Sequence, residues 1–170
     1  MTKYIALLRA VNVGGTGKLP MADLKSLCGG AGFARVETYI ASGNVVFESK
    51  AAPSAMKAKL EAALHAYAGK PVGVVVRTAR ELQAVLNANP FPGAAPNRTL
   101  VIFLDNAPPP DALALAVGVQ NEEMRLGERE IHVHYGEGMG QSRLRIPAAK
   151  AGTARNINTI ARLTEMAVKS

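Results

Sequence analysis

The chain has 170 residues and is 48% hydrophobic, enough apolar material for one compact domain or two small halves sharing a core. It has no Trp and only 5% aromatics, so Leu, Val, Ile and Ala must fill the interior; a single cysteine, Cys28, excludes an internal disulfide and a cysteine-based zinc site. The net charge of +7 is uneven: residues 1–50 carry six Lys/Arg and three Asp/Glu, residues 51–140 eight and nine, and residues 141–170 six and one. A basic excess at both ends favours anionic partners such as phosphates or nucleic acid.

The opening run MTKYIALLRAVNV is short, is broken by Arg9 and lacks a small-residue cleavage signature, so it does not read as a signal peptide. No stretch approaches the roughly 18 apolar residues that span a bilayer. The expectation is a soluble, cytoplasmic protein with no membrane partner.

In chain order, Tyr4–Val11 reads as a buried strand. LPMADLKSLCGG follows as a helix, with Pro20 in its first turn and Met21, Leu24, Leu27 and Cys28 on one face. VETYIAS and NVVFES are β-rich runs joined at Ser42-Gly43-Asn44, a hairpin signal. Pro53–Tyr67 is the clearest helix, with Met56, Leu60, Ala63, Leu64 and Tyr67 aligned. PVGVVVR is a strand, and Thr78-Ala79-Arg80-Glu81 is a capping box opening a further helix.

Residues 89–98, NPFPGAAPNR, form a Pro/Gly-rich connector. TLVIFLD is then a strand, PPPDALALAVG a short helix, EEMRL and EIHVHY two strands, and Arg155 to Val168 the last helix. The expected fold class is α+β, with two pseudo-repeated βαββα halves and a C-terminal helix. The halves are residues 1–88, which match the ferredoxin-like split βαβ unit, and residues 99–170. A right-handed crossover makes the first two strands parallel. The loop after the first strand and the hairpin after the second then emerge at one end of the sheet.

RAVNVGGTGK, residues 9–18, offers Asn12, Gly14, Gly15 and Lys18 between a strand and a helix, a setting in which backbone N–H groups cradle anions. It is not a Walker A loop: Asn12 stands where glycine is needed, and Leu19 follows the lysine. It also fails the dinucleotide fingerprint, since residue 20 is Pro. Arg9, on the face of Ile5 and Leu7 by alternation, is expected to be partly buried. Ser42 and Asn44 are ordinary turn residues.

His132 and His134 face the same way on a strand, but no third metal ligand is evident, and surface pairing across strands is the simpler reading. No Ser-His-Asp order, catalytic carboxylate pair or zincin motif occurs, and no cofactor or metal is expected. Cys28, on an apolar helix face near the C-terminal end, is a poor nucleophile. In GTARNINT, Thr153 or Asn156 can cap the last helix. Arg155 then stands at the positive end of the helix dipole, where a cation needs a compensating partner. Asn158 adds polarity that a core helix does not need.

Three stretches taken together, LLRAVNVGG with Met21, TYIASGNVVF and TARNINT, resemble a bacterial family known as domain of unknown function 1697, and Asn89-Pro90-Phe91 resembles its central element. The resemblance implies two α+β halves and no established activity. By position it carries over Arg9, Asn12, Gly14 and Gly15, then Thr38, Tyr39, Ser42, Gly43 and Asn44, then Thr153, Arg155, Asn156, Asn158 and Thr159. The chain departs from the family with Ala10 in place of the usual Gly and Ile157 in place of an aromatic, which removes a base-stacking surface.

The reading that follows is a binding protein. The Arg9–Lys18 loop, the Ser42–Asn44 hairpin and the 153–158 helix start are expected to form a polar pocket for a small anionic ligand. The alternatives are an enzyme of unknown reaction using that pocket, a nucleic-acid-binding protein, and a purely structural polar network with no ligand.

Overall fold

The computed structural model describes residues 2–9, 19–39, 43–136, 142–150 and 152–168. The chain divides into two compact units, Met1–Leu82 with Leu163–Ser170, and Gln83–Arg162.

The first unit contains strands β1 (Thr2–Leu8), β2 (Ala34–Tyr39), β3 (Asn44–Ser49) and β4 (Val74–Thr78), with helices α1 (Met21–Gly30) and α2 (Pro53–Ala68). Helix α3 (Ala79–Asn87) follows β4 directly. The strand order is β2-β3-β1-β4, and every neighbouring pair is antiparallel. β3 lies between β1 and β2, so those two run parallel, as a split βαβ unit requires.

Tyr4 to Leu8 are all buried, which is why β1 reads as a continuous apolar run rather than an alternating one. Tyr4, Ala6, Leu8, Val45, Phe47 and Val74 pack with Leu24 and Cys28 of α1 and with Met56, Leu60 and Leu64 of α2. The helical residues are spaced four apart and so form one stripe on each helix. Pro53 stands at the start of α2, and Gly69 closes it at φ 73, its N–H donating to His65 O at 2.9 Å. Phe33 and Phe47 stack with centroids 4.2 Å apart.

The second unit repeats the sheet. β5 (Thr99–Phe103), β6 (Glu123–Leu126), β7 (Glu130–His134) and β8 (Thr153–Asn156) lie in the order β6-β7-β5-β8, again antiparallel throughout. α4 (Ile157–Val168) follows β8 as α3 follows β4. The registers correspond: Ala6 pairs with Val45 and Val76, and Ile102 pairs with Ile131 and Ala154. The pseudo-repeat therefore extends to individual strand positions, and the α+β class with two related halves describes the chain.

Two details differ from expectation. Within residues 108–118, where the sequence predicts a helix, residues 110–115 form turns, with Ala112 N–H donating to Pro109 O and Ala116 N–H to Leu113 O. Val117 instead exchanges both backbone hydrogen bonds with Arg145, each 2.9 Å. The last helix begins at Ile157, because Thr153–Asn156 form β8. That strand has four residues, two of them polar and one charged, and it runs straight into a helix cap, so it leaves almost no periodic signal. EIHVHY is an inner strand, because β7 sits between β6 and β5.

Candidate functional site

The sequence nominates residues in both units. In the first, β1 ends against the β2–β3 hairpin. Leu8 N–H donates to Gly43 O at 2.8 Å, and Gly43 takes φ 86, a conformation that glycine adopts without strain. Asn44 is fully buried, and its Nδ2 donates to Tyr39 O at 2.9 Å, which ties the hairpin closed. The end of β1 thus meets the hairpin at Leu8 and Gly43, while the loop of residues 11–18, expected beside the hairpin, lies outside the described residues. Asn12, Gly14, Gly15, Lys18 and Ser42 lie outside the described residues.

Arg9 corrects an expectation: it is exposed. The strand stops at Leu8, so alternation no longer governs Arg9. Its N–H donates to Gly73 O at 2.8 Å, and its Cβ and Cδ lie 3.6 Å from where a Cβ on residue 73 would stand.

In the second unit, Thr153, Arg155, Asn156 and Asn158 are consecutive parts of the β8–α4 junction. Thr153 and Arg155 are buried, two apart on one face of β8. Arg155 Nη1 donates to Thr153 Oγ1 at 2.6 Å and to Ala154 O at 2.9 Å. Burial pushes the guanidinium down to about 10, well above neutral pH, so the group stays charged in the interior. Asn156 Oδ1 accepts the Thr159 N–H at 2.8 Å, which makes Asn156 the cap of α4. Asn158 is exposed in the first turn. Arg155 therefore precedes the cap on a strand, instead of standing within the helix.

Sequence reading missed Arg77. It is only 2% exposed and occupies on β4 the position Arg155 occupies on β8, pairing with Ile5 as Arg155 pairs with Val101. Its Nη1 also turns back onto the preceding carbonyl, Val76 O, at 3.2 Å. Thr78 then caps α3 as Asn156 caps α4: Thr78 Oγ1 accepts the Glu81 N–H, and Glu81 Oε1 accepts the Thr78 N–H. The signal was present as an arginine immediately before a capping residue in both halves.

The histidines also differ from expectation. His132 is 2% exposed rather than on the surface, and among the described residues its Nδ1 has no hydrogen-bond partner. Burial holds its pKa below the ordinary imidazole value. His134 Nδ1 lies 3.3 Å from Thr99 Oγ1, and its ring faces Phe91 at 6.0 Å. Asn89 Oδ1 accepts the Phe91 N–H at 3.0 Å, so the Asn-Pro-Phe element serves as a turn that presents Phe91 to β7. Among the described residues, no group of three His, Cys, Asp or Glu is placed to hold a metal. The buried Cys28 thiol is pushed up to about 12, which removes it as a nucleophile at neutral pH. No helix among the described residues is long and apolar enough to cross a membrane.

A solved structure of the conserved bacterial protein SP0830 from Streptococcus pneumoniae is similar to this chain, with a TM-score of 0.80 and 24% identity over 98% of each chain. That likeness shows the fold. A comparison with curated proteins gave no match. Residues 1–132 match the model of a family described as a protein of unknown function, DUF1697. That match spans the end of β1, the hairpin and the Asn-Pro-Phe turn, and the chain belongs to this family.

Proposed function

We propose that the protein binds a small anionic ligand and that the β8–α4 junction is its principal recognition element. The observation that carries this reading is Arg155, a charged guanidinium at 6% exposure set immediately before the Asn156-capped start of a twelve-residue helix. An interior cation and the positive end of a helix both favour negative charge. Asn158, exposed in the first turn, adds a neutral donor and acceptor. Within the first unit, Arg9, the Asn12–Lys18 stretch with its glycines, and Ser42 are proposed as anion-contacting elements of that unit. Asn44 acts there by holding the hairpin.

The nucleic-acid reading ranks lower. Tyr4 and Phe47, the aromatics of the two inner strands of the first sheet, are buried with ring centroids 6.0 Å apart, so they offer no surface for base stacking. No reaction is assigned.

The test is a thermal-shift panel of phosphate, sulfate, nucleotides, sugar phosphates, carboxylates and a short oligonucleotide. A ligand at about 100 times its dissociation constant stabilises the fold by roughly 2.7 kcal/mol. The expected hit is a small anion whose shift disappears in Arg155→Met and weakens in Asn158→Ala, an exposed position that leaves packing intact. A shift that survives both substitutions, or no shift from any anion, overturns the reading. Stabilisation by the oligonucleotide alone, steeply lost with salt, replaces it with nucleic-acid binding.

A further inference from the structure

The pseudo-repeat exposes a difference between the sheets. In the first sheet, the face carrying Ala6, Leu8, Val45 and Phe47 lies under α1 and α2. In the second, the corresponding positions are Ile102, Leu104, Ile131 and Val133. Among the described residues, the segments over this face are the turns of 109–117 and residues 142–150, whose only helical piece is the three-residue 3-10 turn Pro147–Ala149. No long helix of the described residues lies over this face. A cavity of about 550 Å³ remains, with Ile102, Leu144, Ile146 and Tyr135 among its walls. That volume is typical of small-molecule sites, which are mostly apolar with a few polar groups fixing orientation.

The charged groups of the described residues here are of one sign. Arg145 and Lys150 line the cavity, and Arg143 lines an adjoining depression that shares Val117, Leu144 and Arg145. Among the described residues no carboxylate lines either hollow. Glu122 stands beside these hollows, its carboxylate accepting the Ser142 hydroxyl at 2.6 Å and the Gln120 N–H at 2.7 Å. The Val117–Arg145 backbone bridge fixes the mouth while leaving the Arg145 side chain exposed. Val117 itself is 56% exposed, and Leu115 beside it equally so, which extends apolar surface outward.

From this combination we infer that the second unit holds a binding site for an amphiphilic anion, its apolar body over Ile102 and Ile146 and its anionic head at Arg145 and Lys150. The site is separate from the Arg155 junction and uses none of its residues. A soluble amphiphile fits better than a membrane surface, because the apolar lining is recessed in a cavity.

The test is calorimetric titration of the full chain with decanoate, with decanol and acetate as controls. Decanoate is expected to bind saturably at one site, and decanol and acetate each at least roughly tenfold more weakly, the equivalent of about 1.4 kcal/mol. The double substitution Arg145→Glu, Lys150→Glu changes only exposed side chains and is expected to weaken decanoate by a similar factor without altering decanol. Ala149→Leu, which fills the cavity, is expected to abolish decanoate binding while circular dichroism remains unchanged. Equal binding of decanol and decanoate, or decanoate binding indifferent to both variants, overturns the inference. So does binding only to vesicles of phosphatidylcholine with phosphatidylglycerol.

Discussion

The two sheets share strand order, register and a helix springing from the last strand, yet they are finished differently. The first sheet packs under two helices whose buried residues include Met56, Leu60 and Leu64, each 1% exposed or less. The second packs under turns, and keeps polar groups inside on its strands: Thr99, Glu130, His132, Thr153 and Arg155 are all buried. A four-stranded antiparallel sheet therefore does not dictate what covers it. Both sheets bury polar groups that are expensive to bury, Asn44, Ser49 and Arg77 on the first and those five on the second, so the difference between them lies in what covers the sheet.

The comparison can be broken by mutation. Leu60→Ala removes a side chain beneath the first sheet and is expected to cost about 2–5 kcal/mol in denaturant unfolding. Leu144→Ala, at a half-buried position beside a cavity, should cost less than half of that. Equal losses would mean that the second unit is as tightly packed as the first.

The paired arginines come next. Arg155→Met is expected to abolish the anion-dependent stabilisation of about 2.7 kcal/mol, and Arg77→Met to retain it. Loss in both variants would assign the shared position to folding.

Glycines give a third contrast. Gly118 has φ 72, and a Cβ there would collide with the Arg143 carbonyl oxygen, so Gly118→Ala is expected to destabilise by more than about 1 kcal/mol. Gly29, inside α1 with open space around it, should gain about 0.5–1 kcal/mol as Ala. Thermal melts of both variants show whether the signs are opposite.

Position 132 gives the subtlest test. His132 corresponds to Val46 of the first sheet, since the two pair with Val101 and Ile5 respectively. Its folded pKa lies below the unfolded value of about 6.5. Its contribution is therefore intact above that pH, and is lost as the pH falls through the unfolded value toward the folded one. The slope is at most about 1.4 kcal/mol per pH unit. His132→Val is expected to flatten the acid side of the stability curve, and an unchanged curve would assign the decline to other groups.

Much of the first unit was legible in the sequence. β1 was a continuous apolar run, α2 had a proline start and residues four apart, and Thr78 with Glu81 announced α3. The second unit was harder to read. PPPDALALAVG carries apolar residues that suit a helix, but Val117 is drawn into a bridge with Arg145, a partner 28 positions away. β8 is short and polar, and its identity comes from pairing with β5. Among the candidate residues, Asn156 was recognisable as a cap because capping is local. The exposure of Arg9 and the burial of Arg77 and His132 were not.

The sequence by itself determined the α+β class, the starts of α2 and α3 and the hairpin, because each rests on periodicity or capping within a few residues. Only the tertiary structure decided which arginine is interior, which histidine loses its water, and that the second sheet keeps a cavity where the first has helices. Those properties depend on partners distant in sequence, and burial is set by what packs across the sheet.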